Sequence, residues 1–238
     1  MARLFPSRNN VTVIALLALA RRSHSFTPAA LAASGSSRRT FTSTSTLSLN
    51  MSIKRVLVPI ADGSEEIETT SITDTLTRFG ADVTVASVMP GGELVCKMSR
   101  GIKVMADTTI EEAAKHEWDL VALPGGMPGA SHLRDSKPLI QILEKQKAAG
   151  KLYAALCASP AVVLASKNLI PDGASVTCYP APKFREGLMN ASDEEVVVTD
   201  NLTTSQGPGT SIKFALQLGE HLFGKDKRDQ IAKEMLVK

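Results

Sequence analysis

One cysteine stands where the sequence predicts a change from strand to helix. Cys157 follows the apolar run 152–156 and precedes 158–165, whose composition is helical. Such a turn directs a side chain to the carboxyl edge of a sheet, toward the free N–H groups of a helix start. A helix N-terminus lowers a thiol pKa below its free value of about 8.5, which favours the nucleophilic thiolate. The pattern predicts a reactive Cys157; an inert buried thiol is the alternative.

The two remaining cysteines, Cys96 and Cys178, carry no comparable signal. The three cysteines show no C-x-x-C spacing and no paired histidine, so the sequence favours no zinc site. We expect both to be free structural or accessory thiols.

A glycine-rich segment could bring backbone N–H groups toward the same place. The apolar run 118–123 leads directly into 124–129, and glycine lets a backbone approach another group closely. Functional loops of open α/β sheets follow strand ends in this way. An ordinary turn at the end of a strand is the alternative.

Strands and helices that alternate along the chain must position these residues. Strands are predicted over 54–60, 82–88, 118–123 and 152–156, with shorter extended pieces around 94–96, 102–105, 175–177, 196–198 and 202–204. Helices are predicted over 65–79, 110–115, 136–149, 158–165, 210–223 and 226–236, the first capped by the turn that ends at Ser64. Without an internal repeat, this order predicts one doubly wound α/β domain with a mostly parallel central sheet and helices on both faces.

Charge divides the chain into two parts. The formal net charge is +3, but six arginines lie in residues 1–50 and the first acidic residue is Asp62. This leaves 21 basic against 24 acidic side chains, a formal −3, for residues 51–238. The folded part therefore has no basic patch of the kind that binds nucleic acid.

Residues 1–50 resemble a targeting presequence because they lack acidic residues and are rich in Arg, Ser and Thr. Their one apolar run, 11–20, is too short for a membrane anchor, which needs roughly 20 residues. We expect cleavage and delivery to a plastid or a mitochondrion. A second start at Met51, giving a cytosolic form, is the alternative.

Five motifs, in order and at compatible spacing, resemble the DJ-1 branch of the DJ-1/PfpI superfamily over residues 53–238. They are RVLVP at 55–59, GSEEIE at 63–68, LPGG at 123–126, LCASP at 156–160 and SQGPGT at 205–210. The resemblance implies a flavodoxin-like sandwich over 51–238, a homodimer and a reactive cysteine. It requires no metal or organic cofactor.

The resemblance also implies roles for two side chains. Cys157 falls on the reactive cysteine, and Glu68 falls on the carboxyl group that touches its sulfur. Because two neighbouring anions raise each other's pKa, Glu68 must be protonated to donate to the sulfur. A solvated glutamate in a first helical turn is the alternative.

Other matched positions surround the cysteine. The N–H groups of Gly125, Gly126 and Ala158 would hold an oxyanion, and Pro208 falls in the loop that closes the pocket. Arg100 falls near the pocket mouth, although a lone arginine is more often a surface charge. Tyr179 stands where relatives often have a histidine, and a phenol is a poor base at neutral pH.

The function implied is a glutathione-independent glyoxalase or deglycase acting on methylglyoxal, glyoxal, or glycated protein and nucleotide adducts. An oxidative-stress sensor or a chaperone regulated by Cys157 oxidation is the alternative. Peptidase and glutaminase activities are disfavoured because Ala158, not a histidine, follows the cysteine.

Overall fold

The computed structural model describes residues 53–238. The predicted presequence over 1–50, its destination and the alternative start at Met51 concern residues outside that range. Within it, no helix is long and apolar enough to cross a membrane.

The described residues form strands and helices in the alternating order that the sequence predicts. The strands are β1 (Arg55–Ile60), β2 (Asp82–Ser87), β3 (Val95–Lys97), β4 (Lys103–Met105), β5 (Thr108–Thr109), β6 (Leu120–Leu123), β7 (Leu152–Leu156), β8 (Val196–Thr199) and β9 (Leu202–Ser205). The α-helices are α1 (Glu66–Phe79), α2 (Ile110–Ala113), α3 (Gly129–Asp135), α4 (Lys137–Ala148), α5 (Pro182–Arg185), α6 (Ser211–Phe223) and α7 (Lys225–Glu234).

Seven strands form one sheet in the order β5-β2-β1-β6-β7-β9-β8. All neighbours pair in parallel except the edge strand β8, which is antiparallel to β9. The remaining pair, β3 and β4, forms a separate antiparallel hairpin. The prediction of a mostly parallel central sheet is therefore confirmed.

Helices cover both faces because successive strand residues point to opposite sides. Leu57, Val121 and Tyr153 pack with residues of α2, α3 and α4 in one buried cluster. Their neighbours Val56 and Leu120 pack with residues of α1 and α6 in a second cluster. Both predicted helical layers are thus present.

The sequence mispredicts two helical segments and one strand, and it does not predict the short elements β5 and α5. Helix α3 was not expected because it follows a glycine-rich stretch and has no capping residue. Pro128 at its N-cap makes no side-chain capping hydrogen bond. The predicted helix over 158–165 is a π turn at Pro160–Leu164 followed by a 3₁₀ turn at Ala165–Lys167. The strand predicted around 175–177 is a single bridge between Val176 and Ala191.

The cap of α1 also differs from the prediction. Glu65, not Ser64, is the N-cap, and its Oε2 accepts the Glu68 N–H at 2.8 Å. The Ser64 hydroxyl turns back instead and accepts the Ala61 N–H at 3.0 Å. A second buried carboxyl group is therefore placed beside Glu68.

Candidate active site

The carboxyl ends of four adjacent parallel strands meet at one edge of the sheet. β1, β6, β7 and β9 are neighbours, and the segments that follow them supply the residues predicted to act together. Glu68 lies in the first turn of α1, and Cys157 directly follows β7.

Cys157 adopts a backbone conformation that is unusual for a residue other than glycine. Its φ is +61°, in the left-handed region that side chains disfavour. Two hydrogen bonds hold it there: its N–H donates to Ser205 O at 3.0 Å, and its carbonyl accepts the Tyr179 N–H at 2.8 Å. Such strain persists where surrounding structure imposes it, often at active sites. The residue as a whole is 9% exposed.

Glu68 is completely buried against this cysteine. Its Oε2 accepts the Gly125 N–H at 2.6 Å, and its carboxyl group lies beside the Cys157 side chain. Its other oxygen, Oε1, is buried without a hydrogen-bond partner among the described residues. The structure thus brings the two predicted residues together.

The pKa of Glu68 is raised to about 7, chiefly by burial and to a lesser extent by the charge of Glu65. The Gly125 N–H and the Cys157 thiol limit this rise because they stabilise the carboxylate. Glu68 is therefore poised to gain or lose a proton near neutral pH.

The predicted lowering of the thiol pKa is wrong. Burial raises the pKa of Cys157, and the charge of Glu68 raises it further, although the N–H groups of Gly126 and Ala158 lower it. The backbone effect expected from sequence is present but outweighed. Since both groups cannot readily be ionised together, they titrate as a pair, and a thiolate requires that Glu68 hold the shared proton.

The backbone N–H groups of the glycine-rich segment 124–129 contact two different side chains. The N–H groups of Gly126 and Ala158 lie near the Cys157 thiol and lower its pKa, and their role as an oxyanion site stays a prediction. The Gly125 N–H is instead donated to Glu68. Gly125 is also tightly confined, because a Cβ there would lie 2.6 Å from that of Cys157.

Tyr179 and the segment before Pro208 lie together at the mouth of the site. Tyr179 is 44% exposed, and its ring stands edge-on to Phe184, with ring centroids 6.2 Å apart. A Cβ on Gly207 would lie 3.4 Å from the Tyr179 ring and 3.9 Å from Glu68 Oε1. Pro208, half-buried, begins the single turn Pro208–Thr210.

Arg100 lies on the turn between β3 and β4, where its backbone N–H donates to Glu66 Oε1 at 2.7 Å. Its exposed guanidinium reaches only Ser99 O, at 3.4 Å, among the hydrogen bonds of residues 53–238. The structure therefore does not bring it to Cys157.

The other thiols lie in apolar surroundings. Burial raises the pKa of both Cys96 and Cys178, and Cys96 lies 3.5 Å from the Ser87 hydroxyl. No group of three or more potential metal-binding side chains lies together within 53–238.

Sequence reasoning missed two buried residues that shape the site. Glu65 supplies a negative charge beside Glu68; its position three residues ahead is the spacing of a helix cap and could have identified it. Ser159 donates to Pro124 O at 2.6 Å and ties the cysteine turn to the glycine loop. A small polar residue beside the nucleophile gave no distinctive signal.

Comparison with known proteins places this geometry in a family. The DJ-1/PfpI family model matches residues 54–221. Protein DJ-1 homolog B of Arabidopsis thaliana is 42% identical over 183 residues, 77% of this chain but only 41% of the relative. This chain therefore spans less than half the length of that plant protein.

Two further relatives are matched over nearly their whole length. The glutathione-independent glyoxalase DJR-1.2 of Caenorhabditis elegans is 33% identical, over 76% of this chain and 95% of the relative. The structure of oxidized Toxoplasma gondii DJ-1 is 44% identical with a TM-score of 0.73, over 77% of this chain and 98% of that one. The resemblance inferred from the five motifs is confirmed, and the chain belongs to the DJ-1/PfpI family.

Proposed function

We propose that this protein is a glutathione-independent glyoxalase that converts methylglyoxal to lactate and glyoxal to glycolate. The observation that carries the proposal is the completely buried Glu68 carboxyl group, which lies beside the thiol of Cys157. The pair offers a nucleophile and a proton carrier in contact, the combination that an internal oxidation and reduction of a dicarbonyl needs. The nematode relative named as a glyoxalase supports the same chemistry.

The first step is addition of the thiolate to the aldehyde. The Cys157 sulfur bonds to the aldehyde carbon, and the carbonyl oxygen takes the proton of Glu68, which gives a hemithioacetal. The N–H groups of Gly126 and Ala158, which lie near the sulfur, would stabilise the negative charge that develops on that oxygen.

The second step moves one proton between the two carbons. Glu68, now a carboxylate, removes the hydrogen of the former aldehyde carbon as a proton, and the electron pair passes to the keto group. The hydroxyl proton on the former aldehyde carbon passes to the former keto oxygen. Glu68 then returns a proton to the second carbon, giving a lactoyl thioester on Cys157. A carboxyl pKa of about 7 suits both directions of this transfer.

Water completes the reaction. It adds to the thioester carbon and the carbon–sulfur bond breaks. One of the two water protons returns to Glu68 and the other leaves with lactate, so the thiolate and the protonated carboxyl group are both regenerated. The net reaction is methylglyoxal plus water to lactate, with the protein thiol in the place that glutathione takes in solution.

A deglycase activity would use the same nucleophile. The early adduct of a dicarbonyl on a protein amine or a nucleotide amine has a carbon that bears both nitrogen and a hydroxyl group. Displacement of the amine by Cys157 gives the same hemithioacetal and releases the undamaged amine. The later steps are unchanged.

The second candidate is a redox sensor, and the donors around the sulfur favour it. Peroxide would oxidise the thiolate to a sulfenate and then a sulfinate, releasing one water at each step. Gly126, Ala158 and protonated Glu68 could donate to the sulfinate oxygens. A chaperone role would follow from binding by the oxidised form.

The experiment is enantiomer-resolved lactate production from methylglyoxal by the full-length protein without glutathione. We expect one enantiomer in excess, no turnover in Cys157→Ala, and at least a 100-fold loss in Glu68→Gln. Cys96→Ala, which removes a buried thiol outside the site, should retain turnover. Equal lactate from the wild type and Cys157→Ala would reject the glyoxalase; selective addition of two oxygens at Cys157 by peroxide would then favour the sensor.

A further inference from the structure

Because Gly207 has no side chain, it leaves a small space beside Tyr179 and Glu68, which we call the slot. The Tyr179 ring edge and Glu68 Oε1 both lie within 4 Å of the position that a Gly207 Cβ would occupy. The slot therefore has an aromatic wall on one side and a carboxyl oxygen on the other. Gly207 is extended, with φ of 163°, a conformation open to any residue.

On the carboxyl side of the slot, one oxygen atom lacks a hydrogen-bond partner among residues 53–238. Glu68 Oε1 is buried and has no hydrogen-bond partner among residues 53–238, whereas Oε2 accepts from Gly125. A buried polar atom without a partner is costly, and such atoms often mark the place of a ligand or a bound water. Here a ligand oxygen in the slot would provide the partner.

The aromatic side is held in place. The Tyr179 N–H donates to the carbonyl of Cys157 itself, at 2.8 Å, and the ring packs edge-on against Phe184. The ring is therefore fixed relative to the nucleophile, yet 44% of the residue is exposed. An apolar group of a bound molecule could cover that exposed surface.

We propose that this slot selects 2-oxoaldehydes whose keto carbon bears an aromatic or large apolar substituent, with the keto oxygen at Glu68 Oε1 and the substituent against Tyr179. The inference rests on the proposed function for the oxoaldehyde chemistry. The slot itself would recognise only the fragment R–CO–C. Here R is the substituent on the keto carbon, and the last carbon is the one that reacts with the Cys157 sulfur. Glyoxal, whose R is hydrogen, leaves the ring uncovered.

Apolar contact of this size is sufficient to discriminate between substrates. One methylene group in an apolar pocket changes specificity about 10-fold or more, and a stacked aromatic ring adds to that. We therefore expect phenylglyoxal to be preferred over glyoxal by about 10-fold in kcat/KM, after correction for the hydration of each aldehyde.

The test uses two chloroketones that need no turnover: chloroacetone, with R methyl, and 2-chloroacetophenone, with R phenyl. In each case the Cys157 sulfur bonds to the CH₂ carbon and chloride leaves. Alkylation of Cys157 in the full-length protein is followed by peptide mass spectrometry, and each rate is divided by that of free cysteine. We expect the corrected phenyl-to-methyl ratio to be about 10 in the wild type and close to one in Tyr179→Ala.

Three variants separate the ring from other effects. Tyr179→Phe keeps the ring and should keep the ratio, whereas Gly207→Ala keeps the ring but adds a methyl group to the slot and should lower it. Val198→Ala removes an apolar side chain of the same 44% exposure on β8 and should not change it. A ratio equal in the wild type, Tyr179→Ala and Gly207→Ala would overturn the proposal.

Measuring the turnover of oxoaldehydes then separates the slot proposal from the glyoxalase proposal. If the ratio depends on Tyr179 but no oxoaldehyde is converted, the slot stands and the glyoxalase proposal fails. If oxoaldehydes are converted with no dependence of the ratio on Tyr179 or Gly207, the glyoxalase stands and the slot fails.

Discussion

At the residue scale, the decisive feature is that Glu68 and Cys157 must be considered as one titrating unit. Sequence placed the sulfur at a helix start and correctly predicted that backbone N–H groups would face it. It gave no measure of burial, which raises the pKa of both groups and reverses the expected direction for the thiol. The proposed mechanism requires a thiolate beside a protonated carboxyl group, with one proton shared by the pair.

The raised pKa of Glu68 predicts a pH-dependent stability. A carboxyl group whose pKa rises from 4.5 to about 7 on folding stabilises the folded state below pH 4.5. That contribution is lost as pH rises through 7. Relative to the wild type, Glu68→Gln should therefore gain up to ~3 kcal/mol of unfolding free energy between pH 4.5 and 7.5, measured by urea denaturation.

Glu66 provides a control of opposite sign on the same helix. Burial tends to raise its carboxyl pKa, but hydrogen bonds from Ser99 and Arg100 outweigh burial and lower it. Glu66→Gln should therefore lose stability at neutral pH relative to the wild type. A stability of Glu68→Gln that follows the wild type at every pH would show that Glu68 ionises normally.

At the element scale, the site is set by loops that follow neighbouring strands and pack closely together. Gly125 illustrates how little space remains, because a Cβ there would also lie 2.9 Å from Ala158 N and 3.0 Å from Glu68 Oε2. Gly125→Ala should push Cys157 away from Glu68 and lower kcat/KM for methylglyoxal by about 100-fold, since small misplacements cost that much.

The matched variant is Gly187→Ala, whose added Cβ would meet its nearest atom, Phe184 O, at an ordinary 3.8 Å. It should retain wild-type kcat/KM. Full activity in Gly125→Ala would contradict the close packing that the account requires.

Sequence patterns were sufficient to predict some of the strands and helices and insufficient for others. The buried strands β6 and β7 are short apolar runs bounded by turn residues, so their ends, and hence Gly125 and Cys157, could be located. The helix expected after Cys157 is instead a π turn, because composition does not encode the hydrogen-bond spacing of a short buried segment. Arg100 was assigned to the pocket mouth by resemblance alone, and the position of the β3–β4 turn depends on Glu66, a contact 34 residues away in sequence.

At the scale of the whole molecule, exposed apolar residues near the site support association. Glu66 accepts from Ser99 Oγ and from Arg100 N, both at 2.7 Å, so the start of α1 lies against the β3–β4 turn. Beside this contact between α1 and the β3–β4 turn, Ile67 is 56% exposed and Ile102 is 58% exposed. We propose that these residues pack against a second copy of the chain in a homodimer.

Light scattering at one protein concentration tests the dimer. The wild type should have twice the mass of one chain, and Ile67→Glu should have the mass of a single chain because it would bury a charge in the interface. Met189→Glu, on a fully exposed side chain elsewhere, should remain dimeric. A monomeric wild type would refute the proposal.

The most direct test of the Cys157–Glu68 account is the conversion of methylglyoxal in deuterium oxide by the full-length protein, without glutathione, followed by proton NMR. If Glu68 carries the proton between the two carbons and exchanges it with solvent, the lactate formed will bear deuterium on its hydroxyl-bearing carbon. Its formation will be lost in Cys157→Ala. Lactate that forms equally in the variant, with or without deuterium on that carbon, would contradict proton transfer by this pair.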